Sequence, residues 1–207
     1  VAKDPNVTVN AGAATVEQVN ILVDNVAGAV TATATGSATA LDGLGSNGAL
    51  DQITAVVDQG QDASVSASLL TSIDGKTGIE VDAATNVTKI SGTQLEVLAV
   101  LTAVGQNTIS IATDVAIDAT GVVSVAAANT IATATTGQVD FTGSIDGTAD
   151  SMAAATTVQN GATAGDETAA FDAATAAGTA NGDNAVAINV TTAANVAQAN
   201  AIALATT

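Results

Sequence analysis

The sequence predicts an α/β solenoid, a column of similar helix-and-strand units whose strands form parallel sheets. Three observations predict this fold class. Glycine closes a helix-like stretch at positions 28, 60, 105, 137 and 178, and the residues after the first four of these glycines alternate like strands. Hydrophobic residues make up 47% of the 207 residues, yet only Phe141 and Phe171 are aromatic. Small side chains each bury little area, at about 25 cal/mol per Å², so this composition favours close and regular stacking.

Six stretches that share one frame predict the helices. Each begins with a residue that can cap a helix, and five end at a glycine that can adopt the left-handed conformation. They are residues 15–28, 47–60, 92–105, 124–137, 165–178 and 195–207. The separation between Gly28 and Gly60 equals the separation between Gly105 and Gly137. This recurrence indicates a basic unit of about 32 residues, with insertions in the second and fourth units.

The strands are predicted where Val, Ile and Thr alternate with other residues. These stretches are 29–41, 61–70, 79–82, 86–90, 106–117, 115–125 and 138–145. Because a helix separates successive strands that run in the same direction, the sheets should be parallel. A doubly wound α/β globule is the first alternative, but its strands would be longer apolar runs. A parallel β-helix or another β-rich surface-protein domain is the second.

These elements predict a single repetitive domain over residues 1–207. Its units are 15–46, 47–91, 92–123, 124–164, 165–194 and a truncated 195–207, and the insertion at 153–167 is predicted to loop out. Neither end has the polar composition of a capping unit. We therefore expect the array to continue in a longer protein or to stack end to end on another copy of the chain.

The charge balance excludes several classes of function. The chain has three Lys, no Arg and 20 acidic residues, with a net charge of −17. Binding to nucleic acid or to an anionic membrane surface requires basic residues. No run of 18 apolar residues predicts a membrane-spanning helix, so membrane insertion is not expected. The absence of Cys excludes disulfides and favours an exported protein.

Catalytic chemistry is not expected either. Without His, Cys or Arg the chain cannot form a Ser-His-Asp triad, a thiolate nucleophile or an arginine clamp on phosphate. A pair of carboxylates could cleave a glycan, but such sites normally stack the sugar on Trp or Tyr, and the chain has neither.

Aspartates recur at similar distances after the closing glycines. Asp42, Asp74, Asp118 and Asp150 each follow one of these glycines at nearly the same distance, and Asp146 competes with Asp150 for the equivalent place. One interpretation is that Asp and Gly simply recur as turn residues. The other is that stacked carboxylates bind Ca²⁺, which takes six to eight oxygen ligands. Neither the EF-hand loop nor the glycine-rich calcium nonapeptide is present.

Two stretches carry a resemblance to a known class of proteins, "VTKISGTQLEVLAVLTA" at 87–103 and "VSVAAANTIATATTGQVDFTGSI" at 123–145. The chain resembles the Ala/Thr/Val/Asp/Gly-rich, Cys-free repeats of large exported bacterial surface proteins, which include surface-layer, adhesin and filament-forming proteins. The resemblance implies secretion, calcium-dependent assembly and a structural role. Phage tail and fibre proteins share this composition.

The sequence therefore predicts a structural, non-enzymatic protein at the cell surface. It would build a layer, a filament or an adhesin stalk by stacking its units, as a homo-polymer or as part of a longer array of the same repeat. The alternative is an acidic binding module that displays a glycan- or receptor-binding face, or a phage fibre component.

Overall fold

The computed structural model describes residues 5–9, 12–45, 51–58, 60, 63–151 and 187–205. The chain divides into two compact units. The first contains Val1–Lys89 and Ala99–Ala112, and the second contains Ile90–Leu98 and Thr113–Thr207. The fold is α/β, and every strand pair whose register is given below is parallel. The class of fold and the parallel sheets that the sequence predicts are therefore confirmed.

The described strands fall into three sheets. The sheets have the strand orders β1-β2-β3-β5-β7, β10-β8-β6-β4 and β12-β11-β9. The strands are β1 (Val7–Thr8), β2 (Val30–Gly36), β3 (Gln52–Val57), β4 (Ala63–Ser66), β5 (Glu80–Ala83), β6 (Val87–Thr93), β7 (Ile109–Ile111), β8 (Ala116–Thr120), β9 (Val122–Ser124), β10 (Val139–Phe141), β11 (Ser144–Gly147) and β12 (Ala187–Val190).

Helices lie between the strands in the chain. They are α1 (Val16–Asn25), α2 (Ala38–Leu41), α3 (Ala67–Asp74), α4 (Gln94–Gln106), α5 (Val125–Thr133) and α6 (Val196–Ala205). Residues 149–151 are also helical. Among the described residues, no helix combines the length and the apolar character that crossing a membrane would require.

Strand β2 shows why these sequences form sheets. Val30, Ala32 and Ala34 are buried, while the threonines between them are half-buried on the opposite face. This alternation is the period-2 pattern of a strand with one face in the core. The buried faces are made of small and β-branched residues, with the largest fully buried side chains at Leu41, Ile53, Leu70, Ile73 and Ile109 in the first unit and Ile90, Ile117, Ile131 and Ile145 in the second.

Most neighbouring strands pair residues 21 to 28 positions apart in the chain, whereas β11 and β12 pair residues 43 positions apart. In the first sheet, Thr31 is in register with Gln52, Thr54 with Glu80, and Val81 with Ile109. In the second unit, Val122 is in register with Ser144. In each of these examples the separation is shorter than the unit of about 32 residues that the glycine spacing predicts. The reason is that the glycines do not occupy equivalent places in the fold.

The predicted helices at 15–28, 92–105, 124–137 and 195–207 are present as α1, α4, α5 and α6. Helix α1 begins with a capping box, in which the Thr15 hydroxyl accepts from the Gln18 backbone N–H and the Gln18 side chain accepts from the Thr15 N–H. The predicted helix at 165–178 and the insertion at 153–167 lie outside the described residues.

The predicted helix at 47–60 is wrong, because residues 52–57 form strand β3. Ile53, Ala55 and Val57 are buried in alternation, and β3 lies between β2 and β5 in its sheet. Most residues of β3 are β-branched, and such residues lose rotamer freedom in a helix but pack well in a strand. Tertiary pairing on both sides overrides the helix-like spacing of the apolar residues.

A helix that the sequence interpretation missed follows in the same region. Within the described part of 61–70, strand β4 covers Ala63–Ser66 and α3 begins at Ala67. Ala67, Leu70 and Ile73 are fully buried, which is the spacing of a helix face.

The closing glycines do not share one role. Among the described glycines, positive φ occurs at Gly12, Gly60 and Gly121. Gly105 lies inside α4, and Asn107, with φ 60°, follows the helix end instead. Gly28 and Gly137 each lie shortly before a strand, where an added Cβ would clash with the backbone of Pro5 or Asp114. These two glycines allow close backbone approach rather than closing a helix.

Candidate functional site

The five aspartates that the sequence selects lie in three different settings. Asp42 is the C-cap of α2, and Asp74 is the last residue of α3. Asp118 and Asp146 lie in strands β8 and β11, and Asp150 lies in helical residues 149–151. Asp42 and Asp74 therefore both lie at a helix end, whereas the other three aspartates do not, since the glycines from which the positions were counted do not occupy equivalent places in the fold.

The Asp42 carboxylate is held by two side chains at the end of α3. Its Oδ1 atom accepts from the Ser72 hydroxyl at 2.6 Å and from the Lys76 ammonium at 2.8 Å. Lys76 Nζ also donates to the backbone carbonyl of Asp42. The hydrogen bond from Lys76, with a smaller contribution from Ser72, lowers the pKa of the Asp42 carboxyl below its ordinary value. At neutral pH this carboxylate is ionised and faces an ammonium group.

Asp74 occupies the same position one helix later. Its Oδ2 atom accepts from the Thr108 hydroxyl at 3.2 Å, and this hydroxyl is also 3.4 Å from the backbone carbonyl of Ala103 in α4. Thr108 lies just after the end of α4 and leads into β7. The end of α3 is thus joined to the segment that follows α4.

Asp118 and Asp146 make their contacts along the sheets. Asp118 is in register with Asp140 of β10, and its Oδ1 atom accepts from the Thr142 hydroxyl at 3.3 Å. Asp146 is in register with Asn189 of β12, whose amide donates to Asp146 Oδ2 at 3.1 Å. Each of these carboxylates thus contacts a side chain of a neighbouring strand or of the residue that follows it.

Asp150 contacts the last described helix. The Gln198 amide donates to Asp150 Oδ1, and Gln198 also forms reciprocal hydrogen bonds with Asn195 at the start of α6, at 2.8 and 2.9 Å. Gln198 therefore caps α6 and joins it to residues 149–151.

The described part of the chain contains no group of three or more His, Cys, Asp or Glu residues that could hold a metal ion. The five aspartates are dispersed over helix ends, strands and a helix start, and each accepts a hydrogen bond from a side-chain donor. Calcium binding at Asp42, Asp74, Asp118, Asp146 and Asp150 stays a prediction.

A groove of about 500 Å³ lies beside the first strand of the first unit. The described residues that line it are Val9, Ala13, Ala14, Gln18, Ile21 and Leu22. Ile21 of α1 is 55% exposed. These described residues offer apolar surface and one side-chain amide, and none of them carries a group that acid–base or nucleophilic chemistry needs.

Sequence reasoning missed the donors that face the aspartates. It assigned no role to the three lysines, yet Lys76 pairs with Asp42. Lys76 follows Asp42 by 34 residues, and Thr108 follows Asp74 by the same number.

The chain matches no protein family model, and no curated protein or solved structure is significantly similar to it. Its function must therefore be inferred from its own geometry.

Proposed function

We propose that this chain is a structural segment of an extracellular assembly, such as a surface layer, a filament or an adhesin stalk, and that it is built as an α/β solenoid. One observation carries the proposal: strands of the same sheet stack in parallel in the order in which they occur in the chain. In the first sheet this order is β1, β2, β3, β5 and β7.

This strand order supports a solenoid over the doubly wound alternative. A doubly wound sheet begins in its middle and reverses direction, which creates the switch point where ligands bind. The first sheet has no such reversal among its five strands, and neither does the sheet of β9, β11 and β12. Each strand is added beside the previous strand of its sheet, as in a column that grows by one unit at a time.

The edge of the first sheet supports assembly by stacking. The N–H groups of Val7 and Val9 donate to the backbone of the β2 segment at 2.9 Å. Thr8 lies between them, so its backbone N–H and C=O point away from β2, toward the outer edge of the sheet. Edge groups of this kind are a template for another strand, and the groove that contains Val9 and Ile21 provides apolar surface next to this edge.

The composition fits an exported protein. A net charge of −17 keeps the chain in solution, and the absence of Cys suits export. The partner would be another copy of the chain or a further stretch of the same repeat. The proposed role is passive and requires no catalytic group.

Electron microscopy of the purified chain in negative stain tests the proposal. We expect fibres or a lattice over a range of protein concentrations, with parallel samples in calcium chloride and in EDTA. A monodisperse monomer at every concentration in both solutions, measured by size-exclusion chromatography with light scattering, would contradict the structural role.

The variant Thr8→Pro tests the edge of β1 directly. Proline removes the N–H that points away from β2 and keeps both hydrogen bonds of Val7 and Val9 to that strand. We expect it to shorten or abolish the assemblies while the circular dichroism spectrum is unchanged. Thr8→Val is the matched control and should assemble like the parent chain.

A further inference from the structure

Five carboxylates share a pattern that runs in one direction along the chain. Each accepts a hydrogen bond from a side chain that lies 24 to 43 residues later in the chain, within the same compact unit. The pairs are Asp42 with Ser72 and Lys76, Asp74 with Thr108, Asp82 with Ser110, Asp118 with Thr142, and Asp146 with Asn189.

The pattern occurs in both compact units. The pairs of Asp42, Asp74 and Asp82 lie within the first unit, and those of Asp118 and Asp146 lie within the second. It also occurs in two different kinds of element, since Asp42 and Asp74 end helices whereas the others lie in strands. Because the same kind of hydrogen bond recurs at helix ends and in strands, we infer that these carboxylates share one structural role.

The donors are hydroxyl, ammonium and amide groups, which can hydrogen-bond to a carboxylate without a metal ion. A bound Ca²⁺ would need six to eight oxygen ligands around one point. At Asp42 the cation is instead the Lys76 ammonium, at 2.8 Å from Oδ1. At the other four positions a hydroxyl or an amide donates to the carboxylate, at 3.1 to 3.4 Å.

We propose that these aspartates join separate segments of each compact unit by accepting hydrogen bonds from side chains of the protein. The folded chain is then stable without a divalent cation. The proposal concerns the folded chain itself and does not depend on whether copies assemble. In this proposal the aspartates have a structural role as hydrogen-bond acceptors, whereas their spacing in the sequence suggests calcium binding.

Thermal unfolding followed by far-ultraviolet circular dichroism provides the first test, since the chain has no Trp or Tyr for intrinsic fluorescence. We expect the Tm in calcium chloride and in EDTA to agree at constant ionic strength. A Tm that rises with calcium and saturates, while magnesium at the same concentration has no effect, would overturn the proposal.

A double-mutant cycle at Asp74 and Thr108 provides the second test. Thr108→Val should lower the Tm by about 2 to 4 °C, which is the usual effect of losing one hydrogen bond in a chain of this size. Asp74→Ala should have a smaller effect in the Thr108→Val background than in the parent chain. Additive effects of the two substitutions would overturn the proposal.

The matched controls are Thr88→Val and Asp114→Asn. Thr88 is exposed in β6, and Asp114 is exposed in the turn before β8. Both should leave the Tm close to that of the parent chain. A loss at Thr88 as large as that at Thr108 would show that the donor to Asp74 has no special role and would also overturn the proposal.

Discussion

Residues 48–60 and 93–105 both end at glycine after a run of apolar residues, yet they fold differently. The first stretch contains strand β3 and the second contains most of helix α4. In β3 the buried residues Ile53, Ala55 and Val57 occur at every second position, whereas Val97, Val100 and Ala103 of α4 occur at every third. The period of burial, and not the glycine, separates a strand from a helix here.

The side chains of the two stretches explain this difference. Strand β3 has the sequence QITAVV, in which Val, Ile and Thr prevail. Helix α4 has the sequence QLEVLAVLTAVGQ, in which Leu, Ala, Gln and Glu together make up eight of the 13 residues, beside three Val. The first composition favours a pleated sheet and the second favours a helix.

The largest expected difference between the two stretches concerns their apolar side chains. Ile53 is fully buried in β3, while Leu95 is 76% exposed in α4. Ile53→Ala should lower the free energy of unfolding by about 2 to 5 kcal/mol. Leu95→Ala should change it by less than about 0.5 kcal/mol. Urea unfolding followed by circular dichroism measures both, and equal losses would contradict the assigned burial.

A smaller effect is expected at the start of α4. The backbone N–H and the hydroxyl of Thr93 both donate to Glu96 Oε2, at 2.7 and 2.9 Å. Thr93→Ala removes the second of these bonds and should cost about 0.5 to 1.5 kcal/mol, as is usual for one hydrogen bond. Urea unfolding of Thr113→Ala, at an exposed turn position, serves as the control and should show no comparable loss.

The smallest effect should appear as a dependence on pH. The backbone N–H of Thr93, and then its hydroxyl, lower the pKa of Glu96 below its ordinary value of 4.5. A carboxyl with a lowered pKa stabilises the fold above its ordinary pKa, and this contribution is lost as the pH falls through the lowered one. Glu96→Gln should therefore be less stable than the parent chain at pH 7.

The difference between Glu96→Gln and the parent chain should then shrink as the pH is lowered below 4.5. Urea unfolding at constant ionic strength from pH 7 to pH 3 measures it. A difference that stays constant over this range would show that Glu96 contributes nothing through its charge.

Much of the fold could be predicted because local signals agreed with tertiary packing. The helices α1, α4, α5 and α6 fall in the predicted frames, and most described strands fall in the alternating stretches. The prediction failed at β3 and α3, and at the end of the predicted strand 29–41, where residues Ala38–Leu41 form α2. Short apolar runs at these places fit both periods. Pairing with β2 and β5 decides the structure of β3, and a single sequence does not reveal these neighbours.

The candidate site was predictable only in part. Asp42 and Asp74 do end successive helices. Asp118 was counted from Gly105, which lies inside a helix, so its place in a strand could not follow from the count. The donors Lys76 and Thr108 went unnoticed because hydroxyl and ammonium groups are chemically ordinary until a carboxylate lies beside them.

The most direct test compares alanine substitutions at the two closing glycines. An added Cβ has free space at both Gly60 and Gly105, so only the backbone conformation distinguishes them. Gly60 has φ 78°, where alanine is strained, and Gly60→Ala should lower the free energy of unfolding by about 1 kcal/mol. Gly105 is helical, and Gly105→Ala should raise it by about 0.5 to 1 kcal/mol. Urea unfolding of both variants is expected to give opposite signs, and the same sign for both would contradict the account.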